Sequence, residues 1–228
     1  MFAENQKRIA LHSIRYGRTT LPEDMVMHGG DPQKAYPIAL LLYLIDTGDR
    51  RVLIDAGCDT MPGFETEDFC SPATALAHYG VTPDTITDVI ITHAHHDHID
   101  GVRHFPQAVI YIQKLEYDRR KACLPPGTSV CVFDKNCTVA DCIDVTHIGG
   151  HSPGSSIAQV MVAGKTYVFG GDECYLPVCI RKQIPTGSSV CLEASKQFVQ
   201  TYSAPKYTVL LAHDPDISTG KIAAEALA

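Results

Sequence analysis

The sequence is poor in the features that mark an exported, membrane-bound or nucleic-acid-binding chain. No continuous hydrophobic run opens it: MFAENQKRIALHSIRYG mixes charged and apolar residues, so neither a secretory signal nor a membrane span is expected there, and a cytoplasmic location is the default. Basic residues are in deficit, 19 Lys and Arg against 26 Asp and Glu for a formal net charge of −7, which argues against binding nucleic acid by neutralising phosphates. The nine cysteines contain no CxxC pair, and their odd number, scattered from Cys58 to Cys191, weighs against a disulfide framework or a cysteine-built zinc knuckle. Reduced thiols, mostly buried as small apolar residues, are expected instead. Repeats, low-complexity tracts and long linkers are also lacking.

What is present suits a compact globular domain. With 228 residues, 45% of them hydrophobic, the chain can bury a sizeable core, and its length favours one domain over residues 1–228. RIALHSIRYG reads as a strand, and YPIALLLYLIDTGDRRVLIDAG as a hairpin turning at Thr47-Gly48-Asp49. A helix is expected from Ser71 to Tyr79, with Ser71 as N-cap, Pro72 in its first turn and Gly80 closing it. ITDVIITH reads as a short strand, IDGVRHF as a short helix, AVIYI as a strand and KLEYDRRKACL as a charged surface helix. Further strands are expected over 130–133, 142–146, 157–162 and 166–169, then a helix over 189–202 and a last strand YTVLLAH. Strands interleaved with a few helices point to an α/β sandwich, two packed sheets covered by helices.

The chemistry concentrates where ITDVIITH ends. THAHHDHIDG, residues 92–101, carries four histidines and two aspartates in ten positions. A loop leaving a strand end can aim several side chains at one point. His93 and His95, separated by Ala94, can reach one ion, and Asp97 and His98 can face a second. His151 follows a Gly-Gly turn in VTHIGGHSPG, Asp172 follows the strand in YVFGGDECY, and His213 ends TVLLAH. Imidazole nitrogens with carboxylate oxygens and no thiolate suit zinc, with manganese, cobalt and iron as alternatives. A catalytic zinc needs only three protein ligands, so seven candidates at separate strand ends indicate two divalent ions. His12, His28, His78 and His104 read as ordinary hydrogen-bonded histidines.

His93-Ala94-His95-His96-Asp97-His98 matches the HxHxDH signature of the metallo-β-lactamase superfamily, and Gly150-His151-Ser152-Pro153-Gly154, Gly171-Asp172 and His213 fall where that family carries its other ligands. The resemblance covers nearly the whole chain, including Asp55 of LIDAG, which matches a structural aspartate of the family. It implies an αββα sandwich of two mixed sheets flanked by helices. It also implies His93, His95 and His151 on one metal, Asp97, His98 and His213 on the other, and Asp172 bridging both. Asp172 stands where antibiotic-inactivating members usually carry cysteine, and His95 where flavodiiron members carry glutamate, so both branches are disfavoured. The stretch after Asp172 is too short for the glutathione-binding domain of glyoxalase II. Tyr175, three residues after Asp172, resembles the catalytic tyrosine of N-acyl-homoserine lactonases, and HFPQAVIYIQKLEYD resembles their stretch after the metal motif.

The resemblance therefore implies a lactonase: a hydroxide bridging two metals opens a cyclic ester, Tyr175 steadies the oxyanion and Asp97 passes a proton to the leaving oxygen. The alternative on the same metals is a hydrolase of a small cyclic amide or imide, or of a thioester as in glyoxalase II. His96 stands where those lactonases tend to have an aromatic or small residue. Together with the lack of an apolar groove over 124–139, it argues for a small polar substrate. Met25 and Met27 could line an acyl groove or simply pack. A phosphodiester substrate and a non-catalytic module fit less well, the second because all seven ligand positions are filled. The expected partner is a small-molecule substrate, with neither nucleic acid nor membrane. Oligomeric state is not legible, and a homodimer remains open.

Overall fold

The computed structural model describes residues 8–226; the first seven residues of the N-terminal stretch discussed above, and the last two of the chain, lie outside the described residues. β1 (Arg8–Pro22) and β2 (Ala35–Asp46), joined through the single-turn helix α1 (Glu23–Val26), pair antiparallel along most of their length. β2 explains why its sequence is so uniformly apolar. Leu40, Leu42 and Leu44 enter a core on one side of the sheet, while Ala39, Leu41, Tyr43 and Ile45 enter a core on the other. A strand buried on both faces shows a hydrophobic run rather than alternation.

The expected turn at Thr47-Gly48-Asp49 leads into β3 (Arg51–Ile54). The helix α2 (Pro72–His78) is capped as its sequence indicates: the Ser71 hydroxyl accepts the Thr74 N–H at 3.1 Å. β4 (Asp88–Ile91) follows, then the one-turn helix α3 (His96–Ile99), β5 (Val109–Gln113), α4 (Lys114–Arg120) and β6 (Ser129–Phe133). From β3 to β6 the strands are parallel. The second sheet holds β7 (Asn136–Val139), β8 (Ile143–His147), β9 (Ser156–Val162), β10 (Lys165–Phe169) and, parallel to β10, β11 (Tyr207–Leu210). Two helices, α5 (Pro177–Lys182) and α6 (Leu192–Tyr202), precede β11. β12 (Gly220–Ala226) returns to the first sheet and pairs with β1.

The orders are β12-β1-β2-β3-β4-β5-β6 and β11-β10-β9-β8-β7. One core lies between the sheets, built from residues such as Leu41, Ile45, Val145 and Phe169, and two others lie beneath the helices on either outer face. This is the expected αββα sandwich of two mixed sheets.

Several local expectations are corrected. YTVLLAH is neither wholly strand nor last, because β11 stops at Leu210 and β12 follows. GKIAAEA has weak intrinsic strand preference and is recruited by the open edge of β1. Only Cys58, Cys174 and Cys179 of the nine cysteines are buried, since the others fall on half-covered strands, turns and loops. α4 is not a purely surface helix: Glu116 in its first turn is buried. Among the described residues, no helix is long and apolar enough to cross a membrane.

Candidate metal centre

Both sheets end at a common edge, and the chemistry sits there. β3 runs into Asp55, β4 into Thr92–His95, β8 into the loop that carries His151, β10 into the 3₁₀ turn of Asp172, and β11 into Leu211–His213. Backbone bonds join the two sheets at this edge. Ser156 N–H donates to Thr92 C=O at 2.8 Å, and Ala39 N–H to His213 C=O at 3.2 Å. Side chains from distant stretches are thereby held within bonding range of one another.

They form two sets. His93, His95, His151 and Asp172 bring one donor atom each into a first group, and Asp97, His98 and His213 form a second. In the first, His95 Nδ1 lies 3.0 Å from both His93 Nε2 and His151 Nε2. Asp172 Oδ2 lies 3.7 Å from His93 Nε2 and 3.5 Å from His151 Nε2. In the second, Asp172 Oδ1 lies 3.2 Å from His98 Nε2 and 3.1 Å from His213 Nε2, while Asp97 Oδ2 is 3.6 and 3.7 Å from the same two nitrogens. Ligands of a tetrahedral zinc stand roughly 3.3 Å apart. Both sets have that spacing, and Asp172 turns one oxygen toward each.

The outer ring nitrogens show which lone pairs are free. His98 Nδ1 pairs with Asp55 Oδ2 at 2.8 Å, His213 Nδ1 with Ala39 C=O at 2.8 Å, and His93 Nδ1 with Thr92 Oγ1 at 3.2 Å. Each bond on the outer nitrogen leaves Nε2 facing inward, the arrangement that orients metal-binding histidines. Among the described residues, His98 Nε2 and Asp172 Oδ1 are buried without a hydrogen-bond partner of good geometry, a costly state that a divalent cation between them would relieve.

The charges agree with this. Burial holds His93 well below the ordinary histidine range and takes His151 down to about 4. His95 is also lowered by burial. Burial presses on His98 and His213 too, but the nearby carboxylates, Asp172 foremost, outweigh it and raise both. Asp172, although buried, is held well below the usual carboxylate range by His213, His98 and His93. Three neutral imidazoles and an ionised carboxylate are a donor set ready for a cation.

A cavity of about 170 Å³ opens onto this edge. His95, His96, Asp97, His151, Asp172, Tyr175 and His213 reach it, whereas His93 and His98 lie beneath. The Tyr175 hydroxyl donates to Asp172 Oδ2 at 2.7 Å, and its ring stacks on His213 with centroids 5.0 Å apart. Burial and Asp172 push the phenol well above its ordinary pKa, so it keeps its proton. His96 is half-buried in the cavity wall, with Nδ1 3.7 Å from Asp97 Oδ1.

Leu21, Met25, Ile38, Met61 and Phe64 supply an apolar wall. This corrects the expectation of no apolar groove: the lining comes from residues before the histidine cluster, not from 124–139. Met25 belongs to that wall, whereas Met27, partly buried, packs against the core under the second sheet. The sequence reading also missed two buried carboxylates, Glu116 and Glu173, that hold the ligand-bearing segments. Glu173 sits inside GDECY, where its only visible signal was its place next to Asp172.

Residues 41–200 match the family model of the metallo-beta-lactamase superfamily, and the chain belongs to that superfamily. Within it, the chain is 22% identical over 240 residues to an N-acyl homoserine lactonase of Bacillus cereus, covering 92% of this chain and 95% of that one. Among solved structures, a probable metal-dependent hydrolase from Staphylococcus aureus superposes with a TM-score of 0.80 at 20% identity, covering 93% of this chain and 92% of that one. An N-acyl homoserine lactone hydrolase with N-hexanoyl-L-homoserine bound at its catalytic metal center superposes with a TM-score of 0.78, also at 20% identity, covering 90% and 93%.

Proposed function

We propose that this metal-dependent hydrolase opens a cyclic ester, a lactone bearing an apolar substituent, at a two-metal centre. His93, His95 and His151 would hold one divalent ion, Asp97, His98 and His213 the other, and Asp172 both. The observation that carries the reading is the shared aspartate, whose two oxygens each face a separate set of inward nitrogens. The donor set favours zinc. Bound there, such ions would supply Lewis-acid polarisation of the ester carbonyl and activation of the attacking water.

The remaining steps fall to the chain's own side chains. Tyr175 stays protonated beside Asp172, so its hydroxyl can turn from that carboxylate to the developing oxyanion. Asp97 keeps Oδ1 turned away from the imidazoles of the second set and toward His96. That free oxygen is placed to carry a proton to the leaving alkoxide. The apolar wall supports a substrate with a hydrocarbon substituent, in keeping with the N-acyl homoserine lactone relatives, and favours a lactone over a small polar amide or imide.

The test is a hydrolysis panel of homoserine lactones of graded acyl length, simple lactones, cyclic imides and thioesters, each with and without chelator. Chelator-sensitive turnover highest on acylated lactones is expected. Turnover confined to imides or thioesters would replace this reading with the alternative. Tyr175→Phe is expected to lower kcat roughly 100-fold with metal content unchanged; unaltered kcat would remove the hydroxyl from the reaction.

A further inference from the structure

Glu116 and Glu173 belong to neither ligand set, yet both face the segments that carry the first one. Each is about 1% exposed. Glu116 accepts the Ala94 N–H at 2.9 Å on Oε2, and the Ser152 hydroxyl and Gly154 N–H at 2.8 Å each on Oε1. It thus joins the peptide between His93 and His95 to the loop of His151. Glu173 accepts the N–H groups of Gly150 and His151 at 3.1 Å each, together with the Ser155 hydroxyl, all on Oε1. It joins the same loop, from the other side, to the turn of Asp172.

Among the described residues, neither carboxylate has a buried cation. The nearest to Glu116 is the exposed Arg119, with Nη1 4.0 Å away. Burying a carboxylate without a counter-ion is costly unless several N–H and O–H donors converge on it, as they do here. The glycines of the loop fit this close approach. A Cβ on Gly150 would collide with Glu173 Oε2 and Ser195 Oγ, and one on Gly154 would stand 2.5 Å from Gln113 Oε1 and 2.7 Å from Glu116 Cγ.

From these contacts we infer that Glu116 and Glu173 are positioning residues that clamp three chain segments together, so that the His93, His95, His151 and Asp172 donors are in register before an ion arrives. The inference rests on the metal assignment proposed above. The second set is oriented differently: His98 leans on Asp55 and His213 on the Ala39 carbonyl, and neither clamp touches them. Loss of the Glu116 clamp should therefore weaken one metal site and spare the other, whereas loss of the Glu173 clamp, which also holds the turn of the shared Asp172, should weaken the first site more than the second.

The experiment titrates metal-free protein with Co²⁺ against a chromophoric chelator, resolving two dissociation constants and the visible band of each bound ion. In Glu116→Gln an amide NH₂ replaces one of two acceptor oxygens that are both in use, and Glu173→Ala removes the Oε1 acceptor outright, so each clamp is released in part or in whole. One constant is expected to weaken about 10- to 100-fold, while the other stays within about threefold in the Glu116 variant and weakens less than the first in the Glu173 variant. Ser152→Ala and Ser155→Ala remove a single donor from each clamp and should weaken the same constant more mildly. They decide the matter if a glutamate variant fails to fold. Two unchanged constants in the folded variants, or two weakened equally, would overturn the proposal. Wild-type protein binding fewer than two ions would overturn the metal assignment, and the clamp with it, a result read from the wild type alone.

Discussion

Asp55 shows how much one residue contributes here. Its backbone is left-handed at φ 61°, a conformation that Asp and Asn tolerate better than most side chains. From it the carboxylate reaches Thr92 N–H at 2.7 Å, the Thr92 hydroxyl at 2.9 Å and His98 Nδ1 at 2.8 Å. Asp55→Ala strands these buried groups and strains the backbone, so a loss of roughly 3 kcal/mol is expected, with Asp55→Asn costing less. Chemical denaturation, with metal analysis of the same samples, checks both. Cysteine reactivity offers a second test at this scale. Burial and the Asp97 carboxylate push the Cys58 thiol up to about 11, while Cys123 and Cys191 are exposed. Iodoacetamide at pH 8 should label those two first and leave Cys58 intact, as peptide mass mapping would show. The histidines and Asp97 were legible in the sequence because their chemistry follows from residue type and short spacing. Glu116 and Glu173 were not, because their partners lie 18 to 38 residues away, and in sequence a carboxylate on a charged helix looks solvated.

Among elements, the legible ones carry their own signals: the Ser71 cap, the turn after Asp46, the apolar β-branched run of β4. β12 carries none, being rich in alanine, and exists through its pairing with Arg8–Ser13 of β1. Pairing partners across some two hundred residues leave no local trace. Truncation after Thr219 should open that edge of the first sheet, lowering the unfolding midpoint by several degrees and promoting self-association. Differential scanning calorimetry and size-exclusion chromatography measure the two effects. The apolar cavity wall was hidden for a similar reason. Leu21, Ile38 and Phe64 lie on separate elements and converge only through tertiary packing.

At the scale of the molecule, the family motif made the two-sheet architecture legible, and periodicity alone would have left it a generic sandwich. The donor sets also couple stability to pH. In metal-free protein, burial disfavours the charged forms, yet mutual attraction holds His98 well above its ordinary 6.5 and Asp172 well below 3.8. The histidine's contribution is complete below about pH 6.5 and is lost as pH rises through its raised pKa; the aspartate's is present above about pH 4 and is lost on acidification. Chelated protein should therefore melt earlier as pH rises above neutrality. Loaded protein should not, because neutral imidazoles bind metal better, and melting curves at pH 6 and 8.5 would show the gap widening.

The shared edge of the two sheets has one more consequence. Under the proposed assignment each ion takes ligands from both sheets: His93 and His95 against His151 and Asp172, and Asp97 and His98 against His213 and Asp172. The ions would then rivet the sandwich shut, each adding about 2.7 kcal/mol when free metal exceeds its Kd a hundredfold. The sheets could not part without expelling the ions, so metal supply would govern how long the protein survives as well as how fast it works.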